Sequence, residues 1–132
     1  MRSVCLLTLV ALVFFTIGTA VSFGGAAKDA YELQERCGRS AAKAFEADRY
    51  WNPGIPEVYS CHYSRTLNKC FIMITATSVG SHVNVNIYDV NESKRYGGYT
   101  RWFDGAITCE VEGKVCHSQS EWDAFVKPYM EE

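Results

Sequence analysis

Hydrophobic side chains recur at helical spacing near both ends of the chain. Between Ala26 and about Tyr50, small and apolar residues repeat every three or four positions, and the charged residues fall largely on the other side. This pattern predicts a first helix, and Gly38 within it suggests close backbone packing there. A capping box, Ser118-x-x-Glu121, predicts the start of a second helix. The apolar stripe of that helix comprises Trp122, Phe125, Val126, Tyr129 and Met130.

The pattern at the end of the second helix contains a proline. Pro128 has no backbone N–H, and its ring clashes with the preceding turn of a helix. We therefore expect Pro128 to bend or end this helix at about Lys127.

The pattern between the two helices is that of β-strands. Glu57 to Ser64 is a first candidate, and Cys70 to Thr77 is apolar on both faces, as in a central, covered strand. Val79 to Asp89 alternates apolar with polar residues, which indicates a strand with one solvated face. A further strand runs from Arg95 to Phe103 and is predicted to be interrupted by Gly97-Gly98.

The order of these elements predicts an α+β fold: an N-terminal helix, an antiparallel sheet of four or more strands, and a short C-terminal helix. The 132 residues show no internal repeat and no linker, so residues 23–132 are expected to form one domain. The 48% hydrophobic content excludes a disordered chain. The net charge of −2 gives no basic footprint, so we expect no nucleic-acid partner.

The beginning of the chain has the pattern of a signal peptide covering residues 1–22. Arg2 precedes an apolar run that is shorter than the roughly 18–20 residues of a membrane-spanning helix. Small residues favour cleavage after Ala20 or Ser22. Cys5 precedes both sites, so it is not placed as a lipid-modified first residue. These features predict a secreted or periplasmic protein with no membrane anchor after cleavage.

Cysteines are the next informative feature. Five of the six lie beyond the predicted cleavage sites, an odd number, and an oxidising compartment favours disulfides between them. Cys109 and Cys116 flank a predicted hairpin that turns at Glu112-Gly113, and this turn would place them opposite each other within bridging range. No C-x-x-C pair is present and the compartment favours disulfides, so we expect no zinc site. The sequence contains no glycine-rich phosphate loop and no HExxH motif, and we expect no cofactor.

The remaining cysteines leave the pairing open. Cys37 lies on the apolar stripe of the first helix, where a disulfide to the sheet beneath it is geometrically natural. Its partner is either Cys61 or Cys70. The last thiol then stays free or pairs with another molecule.

Five segments of the chain form a recognisable set. They are Cys37-Gly38, His62-Tyr63-x-x-x-Leu67-Asn68-Lys69-Cys70, Tyr88-Asp89-Val90-Asn91-Glu92, Cys109-x-Val111-x-Gly113-Lys114-x-Cys116-x-Ser118, and Glu121-Trp122-Asp123-x-x-Val126-Lys127-Pro128-Tyr129-Met130-Glu131-Glu132. Together they resemble a family of small secreted bacterial proteins. The resemblance implies a bacterial, extracytoplasmic protein and assigns no activity or catalytic residue. The cysteine pattern of the family implies the bridges Cys37–Cys70 and Cys109–Cys116, which leaves Cys61 free or able to link two chains in a covalent dimer.

Two groups of residues are candidates for chemistry or binding. Cys61 and His62 are neighbours, but adjacent residues of a strand point to opposite faces, so they are weak evidence for a nucleophile and its base. Aromatic residues crowd one strand, and Tyr96, Tyr99 and Trp102 form a candidate binding surface for sugar rings or a peptide. The alternative is that these rings are ordinary strand and core residues.

The absence of a catalytic motif in the sequence favours a small exported binding or interaction protein of the bacterial envelope or the extracellular space. Its ligand would be a protein or a glycan. The alternative function is a small extracytoplasmic enzyme, a hydrolase or a thiol-redox enzyme, that uses Cys61. A third hypothesis is a structural or stress-related envelope protein.

Overall fold

The computed structural model describes residues 23–51 and 54–131, so the predicted signal peptide and its cleavage sites lie outside the described residues. Along the chain, one helix precedes six strands and a second helix follows them. In chain order these are α1 (Phe23–Trp51), β1 (Glu57–Ser64), β2 (Lys69–Ser78), β3 (His82–Asp89), β4 (Arg95–Trp102), β5 (Ile107–Val111), β6 (Lys114–Cys116) and α2 (Gln119–Met130).

The strands form one antiparallel sheet in the order β1-β2-β3-β4-β5-β6, so each strand pairs with its neighbour in sequence. This arrangement confirms the predicted α+β fold with a helix at each end. β2 lies between β1 and β3, in agreement with its apolar character on both faces. β3 begins at His82 rather than at Val79, because Gly80 (φ 77°) and the hydrogen bond from Ser81 N to Ser78 O turn the chain there.

The helices pack on opposite faces of the sheet. α1 packs on β1 and β2, where Ala41 and Phe45 meet Ile72 and Ile74. α2 covers the other face with a larger cluster. Alternation along β2 explains the division, since consecutive side chains of a strand point to opposite faces. The buried members of the cluster under α2 are Phe71, Ile87, Tyr99, Cys109, Val111, Cys116, Trp122 and Val126.

Two disulfides connect these elements. Cys37 of α1 is bonded to Cys70 of β2, with their Cα atoms 5.3 Å apart. Cys109 of β5 is bonded to Cys116 of β6, its partner in the sheet register. Cys61 of β1 is a free cysteine.

The C-terminal helix does not end before its proline. α2 continues through Pro128 to Met130, so, of the two outcomes expected for Pro128, an end at about Lys127 is wrong. Pro128 lies in the last turn, where its missing N–H removes a single helical hydrogen bond. The backbone N–H of Glu131 donates to Lys127 O at 2.9 Å and closes the turn beyond the proline.

Candidate functional site: the open face of the sheet

The three aromatic residues that the sequence suggested as a binding surface do not lie together. Tyr99 is only 3% exposed and packs against Trp122 beneath α2, with 5.6 Å between ring centroids. Tyr96 is half-buried on the same side and contacts Phe71 edge-on. Trp102 is 43% exposed. Tyr96 and Tyr99 thus belong to the packing under α2, and Trp102 is the one of the three that offers an exposed ring.

The separation has a geometric cause. Tyr99 and Trp102 are three positions apart in one strand, so their side chains point to opposite faces. Tyr96 would share the side of Trp102 in a regular strand. However, the register shifts between Ile87 and Tyr88, and this bulge brings Tyr96 to the side of Tyr99.

On the side of α1, the described helices leave half of the sheet uncovered, because α1 packs chiefly on β1 and β2. We call this surface the open face. It faces two clefts of about 240 and 380 Å³, one reaching towards the end of α1 and the other towards β6. The open face consists of His82, Asn84, Asn86, Arg95, Gly98, Thr100, Trp102, Thr108 and Glu110.

A chain of hydrogen bonds, the polar ladder, crosses the open face between β3 and β4. Arg95 Nε donates to Asn86 Oδ1 at 2.9 Å, and Asn86 Nδ2 donates to Asn84 Oδ1 at 2.5 Å. Asn84 Nδ2 in turn donates to Thr100 Oγ1 at 3.3 Å. Each amide is therefore held in one orientation by its neighbours, which fixes where donors and acceptors point.

Two glycines in β4 make this arrangement possible. At Gly98 the Arg95 guanidinium occupies the space of a side chain: an added Cβ would overlap Nη2 and lie 2.8 Å from Cζ. At Gly97 an added Cβ would lie 2.8 Å from Glu110 O, so only glycine allows β5 to pair this closely. The expectation that Gly97-Gly98 interrupts the strand is wrong, since β4 runs through both.

An aromatic pair lies at one end of the open face. Trp102 packs against His82 with 4.8 Å between ring centroids, and the two residues are partners in the sheet register. His82 Nδ1 lies 2.9 Å from Ser81 Oγ, a hydrogen bond that holds the imidazole beneath the indole. Trp102 consequently presents an ordered, partly exposed ring beside the amides.

The smaller cleft adds hydroxyl and carboxylate groups. Tyr88 lines it together with Asp48 and Glu57. Burial raises the pKa of Tyr88, the charge of Arg95 acts in the opposite direction, and Asp48 and Glu57 raise it further. The Tyr88 hydroxyl therefore keeps its proton at neutral pH and can donate a hydrogen bond.

Sequence reasoning identified the solvated side of β3 but missed the polar ladder. The alternation of His82, Asn84 and Asn86 was the available signal. No pattern in the sequence indicated the contribution of Arg95. Its guanidinium lies over Gly98, three positions further along β4, and the alternation of strand residues does not predict that contact.

The thiol of Cys61 lies away from the open face. Its side chain is half-buried and packs against the cluster that α1 forms with Ile72. Burial raises the pKa of this thiol, so less thiolate is present at neutral pH. His62, the next residue in the strand, points to the other side of the sheet. The structure thus brings no histidine of β1 to Cys61.

Comparison with known proteins finds no matching family model, no matching curated protein and no matching solved structure. Among the described residues, no group of three or more His, Cys, Asp or Glu side chains is placed to hold a metal ion. No helix in the described part of the chain has the length and apolar character needed to cross a membrane. The open face is therefore the feature from which a function can be argued.

Proposed function

We propose that the chain is a small exported binding protein of the bacterial envelope or extracellular space, and that it holds a glycan on the open face. Two disulfides suit an oxidising compartment. The resemblance to small secreted bacterial proteins supports the same setting. The observation that carries the proposal is the polar ladder of ordered amides beside an exposed tryptophan.

The chemistry of the open face suits sugars. Sugar hydroxyls both donate and accept hydrogen bonds, and an asparagine side chain offers both a carbonyl oxygen and an NH₂ group. Because Asn84 and Asn86 are held by the ladder, little side-chain entropy is lost when a ligand binds them. The ring of Trp102 offers a flat apolar surface on which the less polar side of a sugar ring can pack.

A protein ligand fits the open face less well. The centre of a protein–protein interface is apolar and depleted of charge. Trp102 is the single large apolar side chain among the nine residues of the open face, and Arg95 and Glu110 lie beside its amides. These properties favour the glycan over the protein as ligand.

The alternative of an enzyme that uses Cys61 gains no support. The thiolate is the nucleophilic form of cysteine, and burial of this thiol opposes its formation. Activation would need a neighbouring base or cation. No described ionisable group lowers the pKa of Cys61.

A binding experiment tests the proposal. The processed protein is applied to an array of neutral and acidic oligosaccharides, and the dissociation constant of each retained member is measured by calorimetry. We expect Trp102→Ala and Asn84→Ala each to weaken binding about tenfold, the effect of losing one good packing or hydrogen-bonding contact. Phe103→Ala is the matched control, because Phe103 is an exposed aromatic residue next to Trp102 but outside the open face.

The melting temperature of each variant shows that it is folded. Retention of no oligosaccharide, or unchanged binding by folded Trp102→Ala, contradicts the proposal. Capture of a specific envelope protein through the same two residues would replace the glycan by a protein ligand.

A further inference from the structure

We propose that the open face selects glycans that carry an anionic substituent, a carboxylate or a phosphate, and that Arg95 binds this group. The inference rests on the proposed function, since it names the ligand class of the same surface. It is carried by a separate observation, the placement of one guanidinium.

Arg95 is held in place but its charge is not neutralised. Its Nε–H donates to Asn86 Oδ1 at 2.9 Å, and its guanidinium lies over Gly98. Within the described part of the chain, Arg95 forms no ion pair, and its Nη atoms make no hydrogen bond. A planar fork of N–H donors is thus fixed at its base and left free at its tip.

This geometry suits an oxyanion. A guanidinium binds carboxylate and phosphate groups through paired N–H···O bonds, which are stronger than hydrogen bonds between neutral groups. The guanidinium is already held in position before the ligand binds. Binding therefore does not lose the conformational entropy of a long, flexible side chain. Asn86, which fixes Nε, is itself held by Asn84 in the polar ladder.

The two clefts of the open face differ in the charged groups that line them. The cleft that contains Arg95 is also lined by His117 and by the hydroxyls of Thr100 and Thr108. Glu110 is the carboxylate of this cleft, and it does not pair with Arg95. The second cleft carries Asp48 and Glu57 instead.

Like charges repel, so an anionic substituent is disfavoured in the second cleft and favoured in the first. The carboxylates of the second cleft suit hydroxyl groups, which donate to them. We therefore expect the ligand to lie with its anionic group at Arg95 and its neutral part towards β3 and Trp102.

The probes are chosen in matched pairs. Oligogalacturonate is compared with its methyl ester, which keeps the sugar backbone and removes the carboxylate charge. A mannose oligosaccharide with a terminal phosphate is compared with the same oligosaccharide without it. Dissociation constants are measured for the processed protein at low and high salt concentration, because screening weakens contacts between charges.

The variants separate charge, geometry and position. Arg95→Gln removes the positive charge, and Arg95→Lys keeps the charge but loses the planar guanidinium. Gly98→Ala keeps Arg95 but places a methyl group in the space that the guanidinium occupies. Arg101→Gln is the control: Arg101 is also an exposed arginine of β4, and it pairs with Val83 and Ile107 outside the open face. The melting temperature of every variant is recorded.

We expect at least one charged probe to bind with a dissociation constant about tenfold or more lower than that of the matched neutral probe. This preference should weaken as the salt concentration rises. Arg95→Gln abolishes the preference, Arg95→Lys reduces it, and Arg101→Gln leaves it unchanged. Folded Gly98→Ala also loses it. The pair that shows the preference identifies carboxylate or phosphate as the recognised group.

Three results overturn the inference. If neutral probes bind as well as charged ones, or if Arg95→Gln keeps the preference, Arg95 does not select an anion. In that case Trp102-dependent binding of neutral probes leaves the proposed function standing. If no charged or neutral oligosaccharide is retained, both the inference and the proposed function fail.

Discussion

At the scale of single residues, Asp89 is the buried charge of the described structure, with 1% of its surface exposed. Its Oδ2 accepts from Lys69 Nζ at 2.7 Å, and its Oδ1 accepts from the backbone N–H groups of Asn91 and Glu92. Burial alone would favour the protonated acid. The hydrogen bonds of Lys69, Glu92 and Asn91 outweigh it and hold the pKa of Asp89 below its ordinary value of 3.8. Asp89 thereby orders the turn between β3 and β4.

This contact predicts a dependence of stability on pH. A carboxylate with a lowered pKa in the fold stabilises the protein above the unfolded value, about 3.8, and this contribution is lost as the pH falls through the folded value. We expect Asp89→Asn to lower the free energy of unfolding at pH 7 by about 1–3 kcal/mol. The variant should also lose less stability than the wild type on acidification. Urea unfolding at a series of pH values measures both effects.

The control for this prediction is Asp29→Asn, at an exposed position of α1. It should follow the wild-type profile. Parallel loss of stability by Asp89→Asn and the wild type between neutral and acid pH would show that Asp89 does not carry the pH dependence.

At the scale of elements, two glycines have opposite roles. Gly113 has a φ of 78° in the β5–β6 turn, a region that other residues adopt at a cost. Gly38 lies within α1, and an added Cβ there would meet nothing within 4 Å. The expectation that Gly38 permits close backbone packing is therefore wrong. The helix is simply weakened at that point.

These positions predict changes of opposite sign. Gly113→Ala should lower the free energy of unfolding by about 1–2 kcal/mol, because alanine is strained at positive φ. Gly38→Ala should raise it by up to about 1 kcal/mol, since alanine is the better helix former and the space is open. Thermal and urea unfolding of the two variants provide the measurement. A shift of both in one direction would contradict the assignment of these roles.

At the scale of the whole molecule, one disulfide joins a helix to the sheet and the other joins two neighbouring strands. Cys37–Cys70 spans 33 positions and ties α1 to the sheet, whereas Cys109–Cys116 spans 7 positions within one hairpin. A bridge that closes a longer loop removes more conformational entropy from the unfolded chain. The link to α1 is therefore expected to contribute more to stability.

Paired alanine variants test this order. Cys37→Ala/Cys70→Ala should lower the free energy of unfolding by about 3–4 kcal/mol, and Cys109→Ala/Cys116→Ala by about 2–3 kcal/mol. Urea unfolding of both proteins, with Cys61→Ser in each background to prevent new pairing, gives the comparison. A larger loss from the hairpin pair would contradict the loop-length argument.

Local patterns were sufficient for much of the fold. The bounds of β1, from Glu57 to Ser64, follow from its apolar residues and the turns beside it. The hairpin turns at Glu112 and Gly113, both with positive φ, as a type I′ two-residue turn requires. The side chain of Ser118 accepts from Glu121 N at the start of α2, where the capping box predicted it. These features depend on residues close in sequence, so the sequence contains their cause.

The sequence by itself determined the fold class, the order of the helices and strands, and the solvated side of β3. Each of these follows from periodicity or from a few adjacent residues. The tertiary structure alone decided which aromatic rings are buried, since the bulge opposite Tyr88 arises from pairing between strands. It also decided that α1 leaves half of the sheet uncovered and that Arg95 rests on Gly98. These contacts join groups that no periodic pattern relates, and they place the open face.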